Sequence, residues 1–523
     1  MKAVVEGGPK LQSATKRKKT PVHIEMDLGE VIAGIEIVGL SGRASTRVAA
    51  VACDSRKVVA NTLFFALPGA KTDGNEFIKE AIARGAVAIA SPQPAPAELP
   101  KEIAWIELMP GAGRKVMALA AANFYGRPAS ALRLVGVTGT NGKTTITYIV
   151  DSILRAAGFT TGRIGTTGYD TPQGFRVATN TTPESINLQE MFSEIRNAGG
   201  THAVLEVSSH ALMMDRTWGC HFDVAIFTNL TRDHLNFHKT FEEYFAAKKV
   251  LFAGTGAGVP GVAVLNIDDS YGARLDALAT RTLTYGVTGP ADLTAKKFSL
   301  SFHGLEFTAQ TPAGPVEVRS ALVGRINVYN ILAAIGAALA LDIPVSKIEE
   351  GIRNLELVPG RFQRIDEGQP FLVVVDYAHA DDALRNLIST ARELNPAGRV
   401  ITLFGAGGER DRSTRPPMGE AAGSLSDLVI LTNDNPRSED PLRIINDVVV
   451  GLQKVNGKYV IEPDRDAALA LAIDEAKPGD IVLLAGKGHE NYQILRDRTY
   501  EFDDREKARK ILRRRGFSKK KVS

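Results

Sequence analysis

The chain has 523 residues, 44% hydrophobic and 23% charged, a balance that suits a globular protein of roughly three domains at about 150 residues each. A formal charge of +4 would suit a nucleic-acid partner, but residues 1–20 hold six Lys/Arg against one Glu and residues 505–523 hold ten against one. Setting aside those surpluses of five and nine leaves the body near −10, so the basic stretches read as solvated tails and nucleic acid is not an expected partner.

Two cysteines, Cys53 and Cys220, are too few for a disulfide framework or a CxxC metal site and fit a reducing compartment. The longest apolar run, Ile331 to Leu341, falls short of the ~20 residues that span a bilayer. The early positive charge has no apolar stretch after it, so the expectation is a cytoplasmic protein with no secretory signal and no membrane insertion.

In chain order, residues 1–24 read as a basic, flexible tail. Residues 25–130 alternate short apolar runs ("NTLFFALPG") with helical ones ("EFIKEAIARG") as a small α/β domain, with "SPQPAPAELP" at 91–100 as a loop. From 131 to 358 the rhythm changes to β-branched runs that each end in a polar or Gly-rich cluster: "LRLVGVTGTNGKTT", "THAVLEVSSH", "HFDVAIFTNLTRDH", "VAVLNIDD". These read as buried parallel strands. The same rhythm fills 359–523 with "FLVVVDYAH", "RVITLFGAGGERD", "LVILTNDNPR" and "DIVLLAGKGHE", a Rossmann-like domain. The polar clusters follow the strands, and ligands of open α/β sheets gather outside the carboxyl ends of strands.

The segment "GVTGTNGKTT" follows a strand and opens a helix expected over Thr145 to Ala157, ended by Gly158. Gly139 and Gly142 let the backbone of Thr140, Asn141 and Thr145 curl around phosphate oxygens, Lys143 supplies charge and Thr144 can ligate magnesium. Val137 stands where GxxxxGK[ST] has its first Gly, yet the strand–loop–helix context points to ATP. Glu206 and the Asp233-His234 pair each follow a strand and could hold a metal that offsets phosphoryl charge. His234 and His238 have a zinc-like i,i+4 spacing, but without HExxH or a Cys partner magnesium is preferred over zinc. On composition Lys248 is a surface lysine on a helix. "GAGGER" at 405–410 lacks the last Gly of GxGxxG, which weakens a dinucleotide-binding reading. In "TNDNPR" an apolar run stops at Asp434-Asn435-Pro436-Arg437; a surface turn explains the Asn and Pro but not an Arg beside an Asp.

Taken together, "GTNGKTT", "EVSSH", "NLTRDHLNFH", "GRINVYN", Gly360-Arg361, "DYAH" and "GKGHE" resemble, in order, the Mur ligases, ATP-dependent amide-forming enzymes of peptidoglycan synthesis. The resemblance implies three α/β domains: one for a UDP-linked sugar, a central P-loop ATPase with a parallel sheet, and a Rossmann-like domain that brings the amino acid. It implies a metal set of Thr144, Glu206, His234 and Lys248, the last carbamoylated to N6-carboxylysine, and catalytic roles for Lys143, Glu206, His234 and Lys248. It implies nucleotide contacts by Asn327, Arg361 and Asp376, and UDP-substrate contacts by Cys53, Ser55, Ala70, Lys71, Thr72, Asn180, Thr181, Thr182, Ser208, Met214 and Arg216. Met214 departs from the Gln often found there and cannot supply its amide hydrogen bond.

The branch implied is the one that adds the third residue of the peptide. Its substrates would be a UDP-muramoyl dipeptide, ATP and meso-diaminopimelate, handled by a monomer through an acyl phosphate. By the same resemblance Arg415, Asp434, Asn435, Pro436, Arg437, Gly486 and Glu490 contact diaminopimelate. A planar guanidinium binds a carboxylate bidentately, which would separate diaminopimelate from L-lysine. The rival readings are the same ligation with L-lysine, a folylpolyglutamate-type ligase, and a nucleotide-binding module without ligase activity.

Overall fold

The computed structural model describes residues 24–69, 72–233, 235–496 and 498–518. The basic stretch 1–23, Ala70, Lys71, His234 and the lysines at 519–521 therefore lie outside the described residues. The chain forms two compact units, Met1–Gly113 and Arg114–Ser523. Among the described residues no helix is long and apolar enough to cross a membrane.

The first unit is built on a five-stranded sheet in the order Gly39–Ser41, Ala104–Glu107, Ala86–Ser91, Thr62–Phe65, Ala50–Ala52. The first pair is antiparallel and the rest are parallel. Phe64, Ile89 and Trp105 pack with Ala81 of the helix Ile78–Ala83, so the "LFF" run is buried throughout as a central strand should be.

The second unit carries two large sheets. The first has eleven strands, and its middle six run Thr161–Gly165, His202–Glu206, Arg133–Thr138, Val224–Phe227, Val262–Asn266, Thr282–Gly286, all parallel. Every residue of His202–Glu206, Val224–Phe227 and Val262–Asn266 is buried, which is why these runs read as continuously apolar. Helices Lys143–Ala156, Ile326–Ala340 and Val345–Asn354 share one core with this sheet; Ser185–Asn197 and Phe241–Ala253 share another. The sheet extends beyond the expected parallel portion through the antiparallel strands Leu293–Ser301, Gly304–Gln310 and Val316–Ser320, where polar and apolar residues alternate because one face is exposed.

The second large sheet runs Gln363–Ile365, Leu372–Asp376, Ile481–Ala485, Val400–Phe404, Leu428–Leu431, Tyr459–Ile461, parallel except at its first edge. Its two faces are covered by Asp381–Leu394, Arg415–Leu425 and Pro441–Lys454 on one side and by Arg465–Glu475 and Asp504–Arg514 on the other. A small hairpin, Tyr492–Leu495 with Arg498–Glu501, follows the last parallel strand. Register puts Asp376 beside Ala485 and Phe404 beside Leu431, so "DYAH", "GAGGER", "NDNPR" and "GKGHE" all emerge at the carboxyl ends of neighbouring strands.

Candidate active site

The phosphate loop is fixed by its own sequence and by the strand beside it. Gly139 (φ +140°) and Gly142 (φ +90°) take left-handed backbone, and a Cβ at Gly139 would collide with Thr228. Asn229 accepts from Thr140 N through its carbonyl at 2.8 Å and from Asn141 N through Oδ1 at 2.9 Å, while Thr228 Oγ1 donates to Asn141 O at 2.6 Å. The helix begins at Lys143, two residues before its expected start, so Thr144 and Thr145 already stand in its first turn.

Two lysines meet on this loop. Lys143 Nζ donates to Gly139 O and Thr140 O, both at 2.9 Å, and Lys248 Nζ donates to the same Gly139 O at 2.8 Å. Lys248 is 1% exposed, which overturns the surface-lysine reading: its helix turns this face inward against the loop. Burial, and then the Lys143 ammonium, push the Lys248 pKa well below the usual lysine range, with Asp233 opposing. Burial also lowers Lys143, opposed by Glu206 and Asp233.

Glu206 is 1% exposed, and among the described residues its two oxygens accept from Thr166, from N at 2.8 Å and from Oγ1 at 3.0 Å. Both donors are neutral, so a buried carboxylate facing the loop lysines is left with room for a cation. Of the residues that spacing made a zinc pair, His238 is buried with Nε2 2.9 Å from Ser209 Oγ, and burial holds its pKa down at about 4. His234 lies outside the described residues.

The nucleotide contacts implied by resemblance do converge. A pocket is lined by Asn141, Gly142, Thr144 and Thr145 together with Asn327, Arg361 and Asp376. Arg361 Nη2 donates to Thr144 Oγ1 at 3.2 Å, and Asp376 holds the Arg361 turn by accepting from Phe362 N at 2.7 Å. Two residues not foreseen join them. Asn330 donates to Asn327 Oδ1 at 2.8 Å from one helical turn on, and Asp382 accepts from Asn141 Nδ2 at 3.0 Å. Asn330 stands in the quoted "GRINVYN", whose i,i+3 asparagines were the available signal.

The remaining substrate residues fall in two places. In the first unit Ser55 is buried and donates to Glu80 Oε2 at 3.0 Å, Cys53 is exposed, and Thr72 O accepts from Gly69 N at 2.9 Å. Cys53 and Ser55 follow one strand and Thr72 follows its parallel neighbour. In the second unit Thr182 ties a cluster together: its Oγ1 donates to Glu206 O at 2.7 Å and accepts from Ser208 N at 3.0 Å, and its carbonyl accepts from Arg216 Nη1 at 2.8 Å. Thr181 Oγ1 lies 3.1 Å from Thr166 Oγ1, Asn180 O accepts from Tyr169 OH at 2.6 Å, and Met214 caps the short helix Ser209–Met213.

The "DNPR" turn is buried and anchored, which removes the surface-turn reading. Asp434 and Asn435 are 7% and 3% exposed. Asn435 Nδ2 donates to Glu490 Oε2 at 3.0 Å and its Oδ1 accepts from Ile494 N at 2.9 Å, while Gln493 Nε2 donates to Asp434 O at 2.8 Å. Arg437 takes left-handed backbone (φ +53°), a strained setting for a side chain this large, and is held there by Arg437 N to Ile494 O and Arg496 N to Arg437 O. Its Nη1 donates to Gly408 O at 2.6 Å. Asp434, Asn435, Arg437, Gly486, Glu490 and Arg415 line one pocket. Arg415 is 1% exposed and pairs with Glu439 and Asp447 at 2.9 Å each, while its buried Nε has no hydrogen-bond partner among the described residues. Gln493 and Lys487, which sequence reasoning passed over, hold this pocket; Lys487 was in plain view in "GKGHE", whereas nothing in the sequence marked Gln493.

Three family models match: Mur ligase family, catalytic domain at residues 47–125; Mur ligase middle domain at 137–338; and Mur ligase, glutamate ligase domain at 360–488. The chain is 52% identical, over 94% of its length and 99% of the relative's, to the UDP-N-acetylmuramoyl-L-alanyl-D-glutamate--2,6-diaminopimelate ligase of Solibacter usitatus. It is 44% identical to the enzyme of that name from Geobacillus kaustophilus, over 90% of this chain and 96% of the relative. A solved structure bearing the same name superposes with a TM-score of 0.64 at 32% identity, covering 94% of this chain and 99% of that one.

Proposed function

Since the chain belongs to the Mur ligase family, we propose that it is the ATP-dependent ligase that joins meso-2,6-diaminopimelate to UDP-N-acetylmuramoyl-L-alanyl-D-glutamate, in the cytoplasm and as a monomer, for peptidoglycan precursor synthesis. The observation that carries the choice of amino acid is the buried "DNPR" turn, with Arg437 and the acids Asp434 and Glu490 on one pocket.

An oxygen of the D-Glu side-chain carboxylate attacks the γ-phosphorus of ATP, ADP leaves, and an acyl phosphate forms. The amine of diaminopimelate then attacks the acyl carbon, loses a proton, and phosphate departs with the bonding electrons of the C–O bond. The loop amides and Lys143 cradle the transferring group where negative charge builds, and because they are fixed beforehand they need no reorganisation at the moment of reaction. Asn327, Arg361 and Asp376 position the nucleotide. In the second unit Asn180, Thr181, Thr182, Ser208, Met214 and Arg216 are the residues for the sugar and peptide; in the first unit Cys53, Ser55, Ala70, Lys71 and Thr72 are those for the uridine end.

The neutral partners of Glu206 favour a cation at this place, and Thr144, Glu206, His234 and a carbamoylated Lys248 are the residues that would hold magnesium. Bound there, Mg2+ would neutralise phosphate charge. Lys248 as an ammonium would repel it, whereas the carbamate formed with carbon dioxide offers oxygen donors.

The test is phosphate release from ATP with an amino-acid panel. Release is expected only with the UDP-dipeptide and meso-diaminopimelate together; an equal rate with L-lysine would sink the assignment of the amino acid.

A further inference from the structure

Lys487 has no part in the proposed reaction, yet its ammonium lies against two acids that line the amine pocket. Its side chain is 0% exposed. The ammonium donates to Glu490 Oε2 at 3.1 Å and stands 3.7 Å from Asp434 Oδ1, over the Tyr492 ring at 5.5 Å. Glu490 is thus satisfied from two sides, by Lys487 and by Asn435 Nδ2 at 3.0 Å. Asp434 is not. Among the described residues its buried Oδ1 has no hydrogen-bond partner, since 3.7 Å is beyond hydrogen-bond reach. An orphaned, buried carboxylate oxygen on the wall of a pocket marks the place of a ligand's cationic donor.

Around the orphaned oxygen, Asp434 and Glu490 contribute two negative charges; Lys487, in contact with both, and Arg437, on the same pocket wall, contribute two positive. On the rest of that wall Arg410 and Asp411 carry opposite charges and Asp233 adds one acid. Arg465, which also faces the first two acids, is offset by Asp504 in a pair 0% exposed on both sides, and Arg415 and Arg412 together are offset by Glu439 and Asp447. The four groups Asp434, Glu490, Lys487 and Arg437 are together neutral, and a neutral set of split charges suits a ligand end that is itself neutral and split. The distal end of diaminopimelate is such a group, one ammonium and one carboxylate on the same carbon. L-lysine ends in an ammonium alone, which would bring a net positive charge and leave Arg437 without its carboxylate.

We propose that Lys487 is a specificity-determining positioning residue: its buried ammonium cancels one of the two acids, so that the pocket is balanced for a zwitterionic amino-acid terminus and against a purely cationic one. The inference rests on the ligase reading and adds to Arg437 a second, hidden source of selection. Arg437 meets the distal carboxylate. Lys487 touches no substrate atom and acts by fixing the charge and the side-chain positions of Asp434 and Glu490.

The experiment compares kcat/KM for meso-diaminopimelate and for L-lysine in the wild type, Lys487→Met, Lys487→Arg and the double variant Lys487→Met with Glu490→Gln. Lys487→Met leaves the cluster at −1, and the preference for diaminopimelate is expected to fall about tenfold or more, with the KM for ATP within about twofold of the wild type. Lys487→Arg keeps the charge and should keep most of the preference. The double variant returns the cluster to neutral without restoring any contact of Lys487, and its preference should recover towards diaminopimelate even if both rates are lower. A purely structural lysine would lower both rates together and leave their ratio alone; that result, or a double variant no more selective than Lys487→Met, would overturn the inference. A wild type that used neither amino acid would overturn the ligase reading and this inference with it, whereas wild-type selection that survived in Lys487→Met would overturn this inference alone.

Discussion

The phosphate loop and the amine pocket both lie at carboxyl ends of parallel strands in one unit, but they are assembled in opposite ways. The loop is one contiguous stretch, Gly136 to Thr145, whose shape follows from two glycines and the neighbouring Thr228-Asn229. The amine pocket draws on four strand ends of one sheet, at residues 377–380, 406–418, 434–437 and 486–490, with Asp233 from the other sheet, and is held by a hairpin that begins after all of them. Catalytic power can come from a short rigid piece of chain. Discrimination between two similar amines needs charges brought from far apart.

The largest effect is expected where the loop depends on something outside its own sequence. Lys248 shares Gly139 O with Lys143 and is buried against the loop. Lys248→Ala should reduce kcat by about 10²–10³, the usual scale for losing one preorganised charge-stabilising group. Added short carboxylates should restore part of the rate if the missing group is a carbamate. Near-normal unassisted activity would show that the loop is self-sufficient after all.

That dependence also marks the limit of what sequence could tell. Strand runs, their parallel pairing and the phosphate loop were legible because burial on both faces writes itself as unbroken apolar residues, and a loop that curls on itself needs glycine in fixed places. Lys248 was not legible from composition, since a lone lysine on a helix looks the same facing water or facing a loop; only the resemblance singled it out. Strands 293–320 do not stand apart from the parallel domain in the sequence, because their alternation is carried by weak residues such as Ala295, Thr308 and Glu317. In the amine pocket the sequence showed Asp434 and Arg437, but not that Arg415 pairs with Glu439 and Asp447, because ion pairs across 24 and 32 residues leave no local pattern.

A smaller, more selective effect is expected at Arg437. Arg437→Lys keeps the charge but loses the planar fork, so the preference for diaminopimelate over L-lysine should drop by about 10–100-fold while the KM for ATP stays put. If both substrates weakened equally, Arg437 would be a strut for the Gly408 carbonyl and the pocket's selectivity would have to reside elsewhere.

The smallest effect addresses the hairpin itself. Gln493 is 7% exposed, and its side chain donates to Asp434 O at 2.8 Å. The next residue, Ile494, meets both Asn435 Oδ1 and Arg437 N through its backbone, so Gln493 and Ile494 clamp the "DNPR" turn at three of its four positions. Gln493→Leu removes one clamp and leaves a buried carbonyl unpaired, a loss of about 1–3 kcal/mol in unfolding free energy. Because the turn keeps its other two anchors, the KM for diaminopimelate should rise only about threefold, the scale of a slight misplacement, while the KM for ATP stays unchanged. Denaturant melts and paired KM measurements separate the outcomes. A stability loss with both KM values unmoved would mean that the strand ends fix the turn unaided; a rise confined to diaminopimelate would mean that a hairpin outside the sheet sets the geometry of the pocket, which the phosphate loop never requires.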